Sequence, residues 1–226
     1  MTALYHFWSI PEAQRVRLAL RYKRIPYQDH PLAYHDDATF FDLGVARHVP
    51  VLQLDDGTRL LDSIAILARI DALFPGTAPL VEDRISAGDW QALLDWRARV
   101  DAVLQRLYSA ARPAYRDIGS DPDTLAAYKA EIQSRFGMSV EALANDRYDG
   151  YAQLDKLTRL AALARHLSVH RYYSGQISIA DVLLTADLYP LQVLDGISLP
   201  IDLMYYFSRV EEVCGADLRA GWLATV

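Results

Sequence analysis

Apolar and polar positions alternate between two spacings over the first eighty residues of the chain. Residues 4–7 form a short apolar and aromatic run, which predicts a first strand. Over Pro11–Tyr22, apolar side chains recur among three arginines, as in a helix that buries one face. The chain then reads as extended up to residues 31–32, and residues 36–43 predict a short helix.

A hairpin and a third helix complete this first part. A strand begins at residues 49–52, and Asp56-Gly57 stands between two apolar runs, which is a strong hairpin signal. Residues 51–54 and 59–61 should therefore pair antiparallel. Asp62-Ser63 then starts a helix whose apolar positions continue to Leu73. The predicted order is β-α-β-α-β-β-α.

Turn-forming residues interrupt this pattern, and helical periodicity follows them. The segment from Phe74 to Pro79 is rich in proline and glycine, and residues 74–82 are the predicted linker. The predicted fold class is therefore α/β plus all-α, with one domain at 1–76 and an all-helical domain at 83–226. The helices predicted in the second domain cover residues 83–111, a start at Ser120-Asp121-Pro122, and residues 151–167, 178–194 and 201–213.

Composition and charge exclude several classes of protein. Hydrophobic residues make up 52% and charged residues 23%, which excludes a disordered chain. The net charge of −6 disfavours general binding to nucleic acids or anionic membranes. The single cysteine, Cys214, rules out a disulfide framework within the chain and a cysteine-rich zinc site. His166 and His170 have no carboxylate spaced to join them, so no metal site is expected.

The N-terminal sequence and the absence of a long apolar run indicate a cytoplasmic protein. Asp181 and Asp187 interrupt the most apolar stretch, so no run approaches the roughly 20 residues of a membrane span. Residues 1–7 lack the basic start of a signal peptide.

Three local motifs carry a resemblance to a known family. They are Val49-Pro50 before a strand, Asp62-Ser63 at a helix start, and Ser178-Ile179-Ala180-Asp181 at the start of an apolar helix. In this order, with the proline-rich linker between the last two, the chain resembles the cytosolic glutathione S-transferase superfamily. The resemblance implies a thioredoxin-like N-terminal domain joined to a C-terminal helical bundle. Residues 188–200 also resemble the tail of the bacterial two-domain glutaredoxins.

This resemblance implies a glutathione site on the first domain. Val49 would pair with the ligand backbone through its N–H and C=O, and the peptide bond to Pro50 would be cis. The alternative is an ordinary trans proline at a strand start. Ser63 would bind the γ-glutamyl carboxylate at the helix N-terminus, and Asp62 would reach the ammonium group. A plain helix cap is the alternative role for these two residues, and it is compatible with ligand binding.

Two further residues stand where the family often places a partner for the glycyl carboxylate. Arg47 and His48 precede the Val-Pro pair. Solvated surface residues are the alternative interpretation.

The residue that would activate the glutathione thiol is left open by the sequence. Ser9 is the only hydroxyl in the loop before the first helix, but Ser9-x-x-Glu12 also matches a capping box. In many relatives the active residue lies five positions ahead of an arginine, and counting back from Arg15 gives the inert Ile10. Tyr5 on the first strand is the alternative activator, and a site with no side-chain activator is a third possibility.

The implied activity is transfer of glutathione to a hydrophobic electrophile, with glutathione as co-substrate and no other cofactor. A homodimer is implied as well, although the two-domain glutaredoxins are exceptions. A non-catalytic glutathione-binding module is the alternative, and thiol–disulfide exchange is disfavoured because no cysteine stands at the first helix. The candidate wall of the electrophile pocket is aromatic and cationic, and core packing is the alternative for each member: Trp8, Trp96, Arg99, Tyr108, Arg112 and Tyr115.

Overall fold

A four-stranded sheet forms the centre of the N-terminal domain in the computed structural model, which describes residues 1–145, 153–154, 159–194 and 197–223. The strand order is β2-β1-β3-β4, with β1 and β2 parallel and β3 antiparallel to both of its neighbours. Leu52 lies opposite Leu60 in the hairpin, as the Asp-Gly signal predicts. The strands are β1 (Ala3–His6), β2 (Gln28–Pro31), β3 (Val51–Gln53) and β4 (Arg59–Leu60).

The helices of this domain follow the predicted order, with one correction. The helix predicted from residue 63 to residue 73 is broken at Arg69, whose backbone leaves the helical region (φ −110°, ψ 4°). The four helices are α1 (Pro11–Tyr22), α2 (Asp37–Leu43), α3 (Ser63–Ala68) and α4 (Ile70–Leu73).

In its described residues, the regular secondary structure of the second part of the chain consists of helices, apart from one isolated bridge between Tyr115 and Trp222, so the predicted fold class is confirmed. Asp121 caps its helix at the amide of Thr124, with Pro122 in the first turn as expected. The domain boundaries at 76 and 83 stay a prediction. The helices are α5 (Ala87–Ala111), α6 (Arg116–Gly119), α7 (Pro122–Phe136), α8 (Val140–Asn145), α9 (Leu160–Val169), α10 (Ile179–Leu188) and α11 (Ile201–Cys214).

Three predicted helix boundaries in this part are wrong. Helix α5 begins at Ala87 and not at residue 83, because Asp83 has a left-handed backbone (φ 55°) and Ser86 caps the amide of Asp89. The helix predicted over 151–167 is not continuous, since Arg159 also has a positive φ of 50°; residues 151–152 and 155–158 lie outside the described residues. Helix α10 ends at Leu188, and a 3₁₀ turn that contains Pro190 follows it.

Two hydrophobic clusters each contain buried residues of both domains. Helix α1 packs against α3 within its own domain and against α10 of the helical domain. Val16 of α1 and Leu183 of α10 are fully buried in the same cluster. Because apolar surface on both sides of the boundary is removed from water together, the domains stabilise one another.

Two further features of the described residues concern membranes and metal ions. No helix in the described part of the chain is long and apolar enough to cross a membrane. Across the described residues, no cluster of three or more His, Cys, Asp or Glu side chains could hold a metal ion.

Candidate functional site

The three segments named by the sequence converge at one edge of the sheet. The loop at residues 8–10 follows the end of β1, and Val49-Pro50 precedes β3, which runs antiparallel to β1. Asp62-Ser63 follows the end of β4, which is antiparallel to β3. Because an antiparallel neighbour begins where its partner ends, all three segments lie at the same edge.

The Val49-Pro50 peptide bond is cis, as the resemblance implies. Both residues are buried just ahead of β3, and Val51 pairs with Tyr5 of β1. A cis X-Pro bond is uncommon and marks a tight turn. Here the turn lies directly beside the loop that leads into α1.

Asp62 is the N-cap of α3. Its Oδ1 accepts hydrogen bonds from the amides of Ile64 at 2.8 Å and Ala65 at 3.0 Å. The side chain is exposed. The capping role predicted as the alternative is therefore present, and the role toward a ligand ammonium stays a prediction.

Ser63 is the first residue of α3 and is only 4% exposed. Its Oγ accepts a hydrogen bond of 3.0 Å from Nη1 of Arg15 on α1. A guanidinium group only donates, so the hydroxyl proton of Ser63 is not used in this bond.

Ser9 does not cap the first helix, so the capping box predicted with Glu12 is wrong. The N-cap of α1 is Ile10, which makes no side-chain capping bond. The Ser9 hydroxyl instead donates to Oδ2 of Asp117 at 2.6 Å, and the Ser9 amide approaches the same atom at 3.3 Å. Because Asp117 belongs to α6, this hydrogen bond connects the loop before α1 with the helical domain. Ser9 is 4% exposed.

Asp117 is buried at this contact between the domains. Its Oδ1 makes no hydrogen bond within the described structure. Burial raises the pKa of Asp117, and the bonds from Ser9 oppose that shift without cancelling it. A neutral carboxyl group is thus favoured more here than it would be in water.

Tyr5, the alternative activator, lies in the middle of the sheet. Its ring stacks on His30 of β2 with centroids 4.7 Å apart. It is one position before the last residue of β1 and is partly exposed.

Arg47 is held by its own domain. Its Nε forms an ion pair of 3.0 Å with Asp37, its Nη2 donates to the carbonyl of Tyr34, and its guanidinium lies 4.6 Å from the centre of the Tyr34 ring. His48 is exposed. The role predicted for these two residues toward a glycyl carboxylate stays a prediction.

Two of the six candidate wall residues, Trp8 and Tyr115, share a cavity. Trp8 and Tyr115 line a cavity of about 20 Å³ next to Ser9, which has room for about one water molecule. The Tyr108 hydroxyl donates to the carbonyl of Asp187, and Arg112 donates to Gln105 at 2.9 Å. Trp96 packs against the core, and Arg99 is exposed.

A buried ionic cluster joins the two domains behind Ser63. Arg15 is 2% exposed, and its Nη2 lies 2.5 Å from Oδ1 of Asp187 on α10. Arg97 of α5 approaches the other oxygen of Asp187 at 3.3 Å and Glu12 of α1 at 2.9 Å. Burial lowers the pKa of Arg15, but Asp187 and Glu12 outweigh it, so the net pKa is raised and Arg15 is charged.

Sequence reasoning did not find this cluster. The arginines of α1 were expected among its polar positions, yet Arg15 and Arg17 are both buried. The available signal was Asp187, one of two aspartates in the mainly apolar helix α10, because a buried acid is rarely left without a partner.

The capping box predicted for α10 is confirmed. The Ser178 hydroxyl accepts from the amide of Ala180, and the Asp181 carboxylate accepts from the amide of Ser178 at 2.8 Å. Asp181 also accepts from the hydroxyl of Tyr206 at 2.9 Å, which ties α10 to α11.

This arrangement defines a class of two-domain proteins in which a thioredoxin-like sheet with a cis-proline turn is joined to a helical domain. Residues 11–73 match the sequence model of the glutathione S-transferase N-terminal domain. The resemblance to the glutathione S-transferase superfamily is therefore confirmed for the N-terminal part of the chain.

Similarity to individual proteins is more limited. A maleylacetoacetate isomerase of Pseudomonas aeruginosa is 31% identical over 86 residues, which cover 35% of this chain and 41% of the relative. The chain thus spans less than half the length of that curated relative.

Two solved structures share the fold over almost the whole chain. The glutaredoxin 2 of Salmonella typhimurium, in complex with glutathione, has a TM-score of 0.78 at 21% identity over 96% of both chains. A glutathione S-transferase of Ceriporiopsis subvermispora, in complex with glutathione, has a TM-score of 0.69 at 16% identity over 95% of this chain and 96% of that one. At these identities the likeness establishes the fold alone.

Proposed function

We propose that this protein binds glutathione at the sheet edge and transfers it to a hydrophobic electrophile. The observation that carries the proposal is that the Val49-Pro50 turn and the capped start of α3 lie at the same edge of the sheet. In this proposal the backbone of Val49 pairs with the cysteinyl part of the ligand. Ser63 receives the γ-glutamyl carboxylate, and Asp62 faces the ammonium group. Arg47 and His48 face the glycyl end.

The proposed reaction is attack of the glutathione thiolate on an electrophilic carbon. A new C–S bond forms, the leaving group departs with the electron pair of its bond, and the thiol proton passes to solvent. A free thiol has a pKa near 8.5, so a group that stabilises the thiolate at neutral pH accelerates the step.

Ser9 is the proposed thiolate donor, with Tyr5 as the alternative. Because the Ser9 proton points to Asp117, Ser9 serves the sulfur only when this proton is released. A neutral Asp117 would donate to Ser9 Oγ and free the Ser9 proton for the sulfur, whereas an ionised Asp117 would retain it. Burial raises the pKa of Asp117, which widens the pH range in which the first arrangement is available.

A non-catalytic glutathione-binding module is the second candidate function. Ile10 at the start of α1 and the engagement of Ser9 by Asp117 favour it. Retention on immobilised glutathione and turnover of an aryl halide would separate the two functions. Retention with turnover supports the transferase, retention without turnover supports the module, and failure of retention contradicts both.

Two other glutathione-dependent reactions can be tested beside the transferase reaction. Exchange of glutathione mixed disulfides is disfavoured because Cys214 is buried and burial raises its pKa to about 12. The isomerase relative suggests an isomerisation as a further substrate test. A homodimer, a hydrophobic electrophile as second substrate and a cytoplasmic location complete the proposal.

A further inference from the structure

The charges of the ionic cluster behind Ser63 determine how Arg15 acts on the Ser63 hydroxyl. Its members are two cations, Arg15 and Arg97, and three anions, Glu12, Asp101 and Asp187. The positive charges of the cluster are therefore fully balanced by carboxylates. Since the positive charge of Arg15 is balanced by Asp187 and Glu12, Arg15 acts toward Ser63 as a hydrogen-bond donor more than as a source of net charge.

The geometry excludes one direction for the hydroxyl proton of Ser63, the direction toward Arg15. Nε and Nη2 of Arg15 both donate to Oδ1 of Asp187, at 2.8 and 2.5 Å, which holds the guanidinium plane. The remaining nitrogen, Nη1, donates to Ser63 Oγ at 3.0 Å. With an obligate donor on one side, Ser63 must direct its own proton to the other side.

We propose that Arg15, anchored by Asp187 of the helical domain, is a positioning residue that orients Ser63 as a hydrogen-bond donor to the γ-glutamyl carboxylate. This inference rests on the proposed function. It adds that glutathione affinity depends on a residue of α10 in the other domain, because Asp187 anchors the guanidinium that sets the hydroxyl.

The test compares glutathione with cysteinylglycine, which lacks the γ-glutamyl group. Calorimetry on the full chain would give the Kd of both ligands for wild type, Arg15→Lys, Ser63→Ala and the double variant. A hydrogen bond to a charged group is worth about 1.5–3 kcal/mol, which corresponds to about tenfold or more in Kd. We expect each single variant to raise the Kd of glutathione by about this factor and the Kd of cysteinylglycine by less than about twofold.

The double variant and two other variants remove competing explanations. We expect Arg15→Lys with Ser63→Ala to bind glutathione no more weakly than Ser63→Ala alone, because both changes remove one interaction. Arg97→Lys is the matched control: Arg97 belongs to the same cluster but makes no hydrogen bond to Ser63 among the described contacts. Asp187→Asn weakens the contact that anchors Arg15, so it should also reduce the binding of glutathione but not that of cysteinylglycine. This variant replaces Arg15→Lys in the test if Arg15→Lys does not fold.

Each result supports or overturns the inference. Equal losses for both ligands, additive effects in the double variant, or the same selective loss in Arg97→Lys would overturn it while leaving glutathione binding intact. Absence of any binding by the wild-type protein would instead overturn the proposed function, and the inference with it.

Discussion

At the scale of single residues, one hydrogen bond from Ser9 to Asp117 decides what the loop before α1 can do. Sequence reasoning located the loop and its hydroxyl but not the acid, because Asp117 lies 108 residues further along the chain. A local pattern such as Ser-x-x-Glu contains no information about a tertiary competitor for the same hydroxyl. The competitor is a buried carboxylate, whose desolvation makes a hydrogen bond valuable.

Ser9→Ala should lower the free energy of unfolding by about 1–3 kcal/mol, because it leaves a buried carboxylate oxygen short of its main donor. Urea unfolding would measure the change. Ser109→Ala is the matched control, since Ser109 is also buried but its hydroxyl only donates to the carbonyl of Gln105 in its own helix. Equal losses in the two variants would contradict the role assigned to Asp117.

The same Ser9→Ala variant tests the proposed chemistry. If Ser9 donates to the thiolate, kcat/KM for an aryl halide should fall by about tenfold or more. This fall corresponds to a rise of at least about 1.4 kcal/mol in the activation barrier. Steady-state kinetics on a variant that still binds glutathione would show this. An unchanged rate would restrict Ser9 to its structural contact.

Asp117 should make stability depend on pH in a defined direction. Because its folded pKa is raised, the stability that the neutral carboxyl contributes is present below its unfolded pKa of about 3.9 and is lost as pH rises through the folded value. Asn cannot ionise, so Asp117→Asn should gain stability relative to wild type as pH rises above about 4. His6 and Tyr115 lie close enough to Asp117 to interact electrostatically with its carboxyl group.

Urea unfolding of both proteins at several values between about pH 4 and pH 7 would give this difference. A difference that is independent of pH, or one that falls as pH rises, would contradict a raised pKa for Asp117.

At the scale of elements, periodicity and capping signals predicted the order of the strands and helices well. The bounds of α1 agree with the apolar pattern because proline begins the helix and the pattern stops at Tyr22. The end of α10 lies just before Pro190, so the sequence contained a signal for that error. The other three errors lie where the backbone of a single residue leaves the helical region, at Arg69, Asp83 and Arg159. None of these three residues is a glycine or a proline, so the sequence contains no strong signal for the breaks.

The linker after α4 is fixed by one side chain. The carboxylate of Asp71 accepts from the amides of Leu80, Val81 and Glu82 at 2.8–3.1 Å and from Lys23 Nζ at 2.7 Å. Burial raises the pKa of Asp71, but these donors outweigh it, and the net pKa is lowered. The stability contributed by ionised Asp71 is therefore present above about pH 4 and is lost as pH falls through its folded pKa.

Asp71→Asn should speed hydrogen exchange at the amides of residues 80–82 by about tenfold or more, because an amide oxygen is a weaker acceptor than a carboxylate. Exchange monitored by mass spectrometry would locate the effect. Asp56→Asn is the control, since Asp56 accepts from the amide of Thr58 within its own turn. Unchanged exchange at residues 80–82 would show that the apolar packing of Leu80 holds the linker without Asp71.

At the scale of the whole molecule, the cluster around Arg15 is an ionic contact between the two domains. Removing one partner leaves a buried charge, so Arg15→Met should lower the free energy of unfolding by about 3–5 kcal/mol. The double variant Arg15→Met with Asp187→Leu removes both charges and should lose less. Denaturant unfolding would compare them, and a double variant that loses as much as the sum would contradict coupling between Arg15 and Asp187.

The candidate site could be predicted from sequence only as far as its local motifs extend. Val49-Pro50 and Asp62-Ser63 are contiguous signals, and the cis bond and the cap are both present. Contacts between distant segments, such as Arg15 with Ser63 or Ser9 with Asp117, could not be predicted from the sequence. Their partners become neighbours only when the helical domain docks on α1.

A crystal structure of the protein with bound glutathione tests the central claim most directly. The proposal expects the cysteinyl backbone within about 3.2 Å of the N–H and C=O of Val49, and the γ-glutamyl carboxylate at the same distance from Ser63. A tripeptide bound elsewhere, for example in the open groove lined by Arg21 and Arg24, would contradict it. So would a crystal soaked at saturating glutathione in which the edge at Val49 and Ser63 contains no tripeptide.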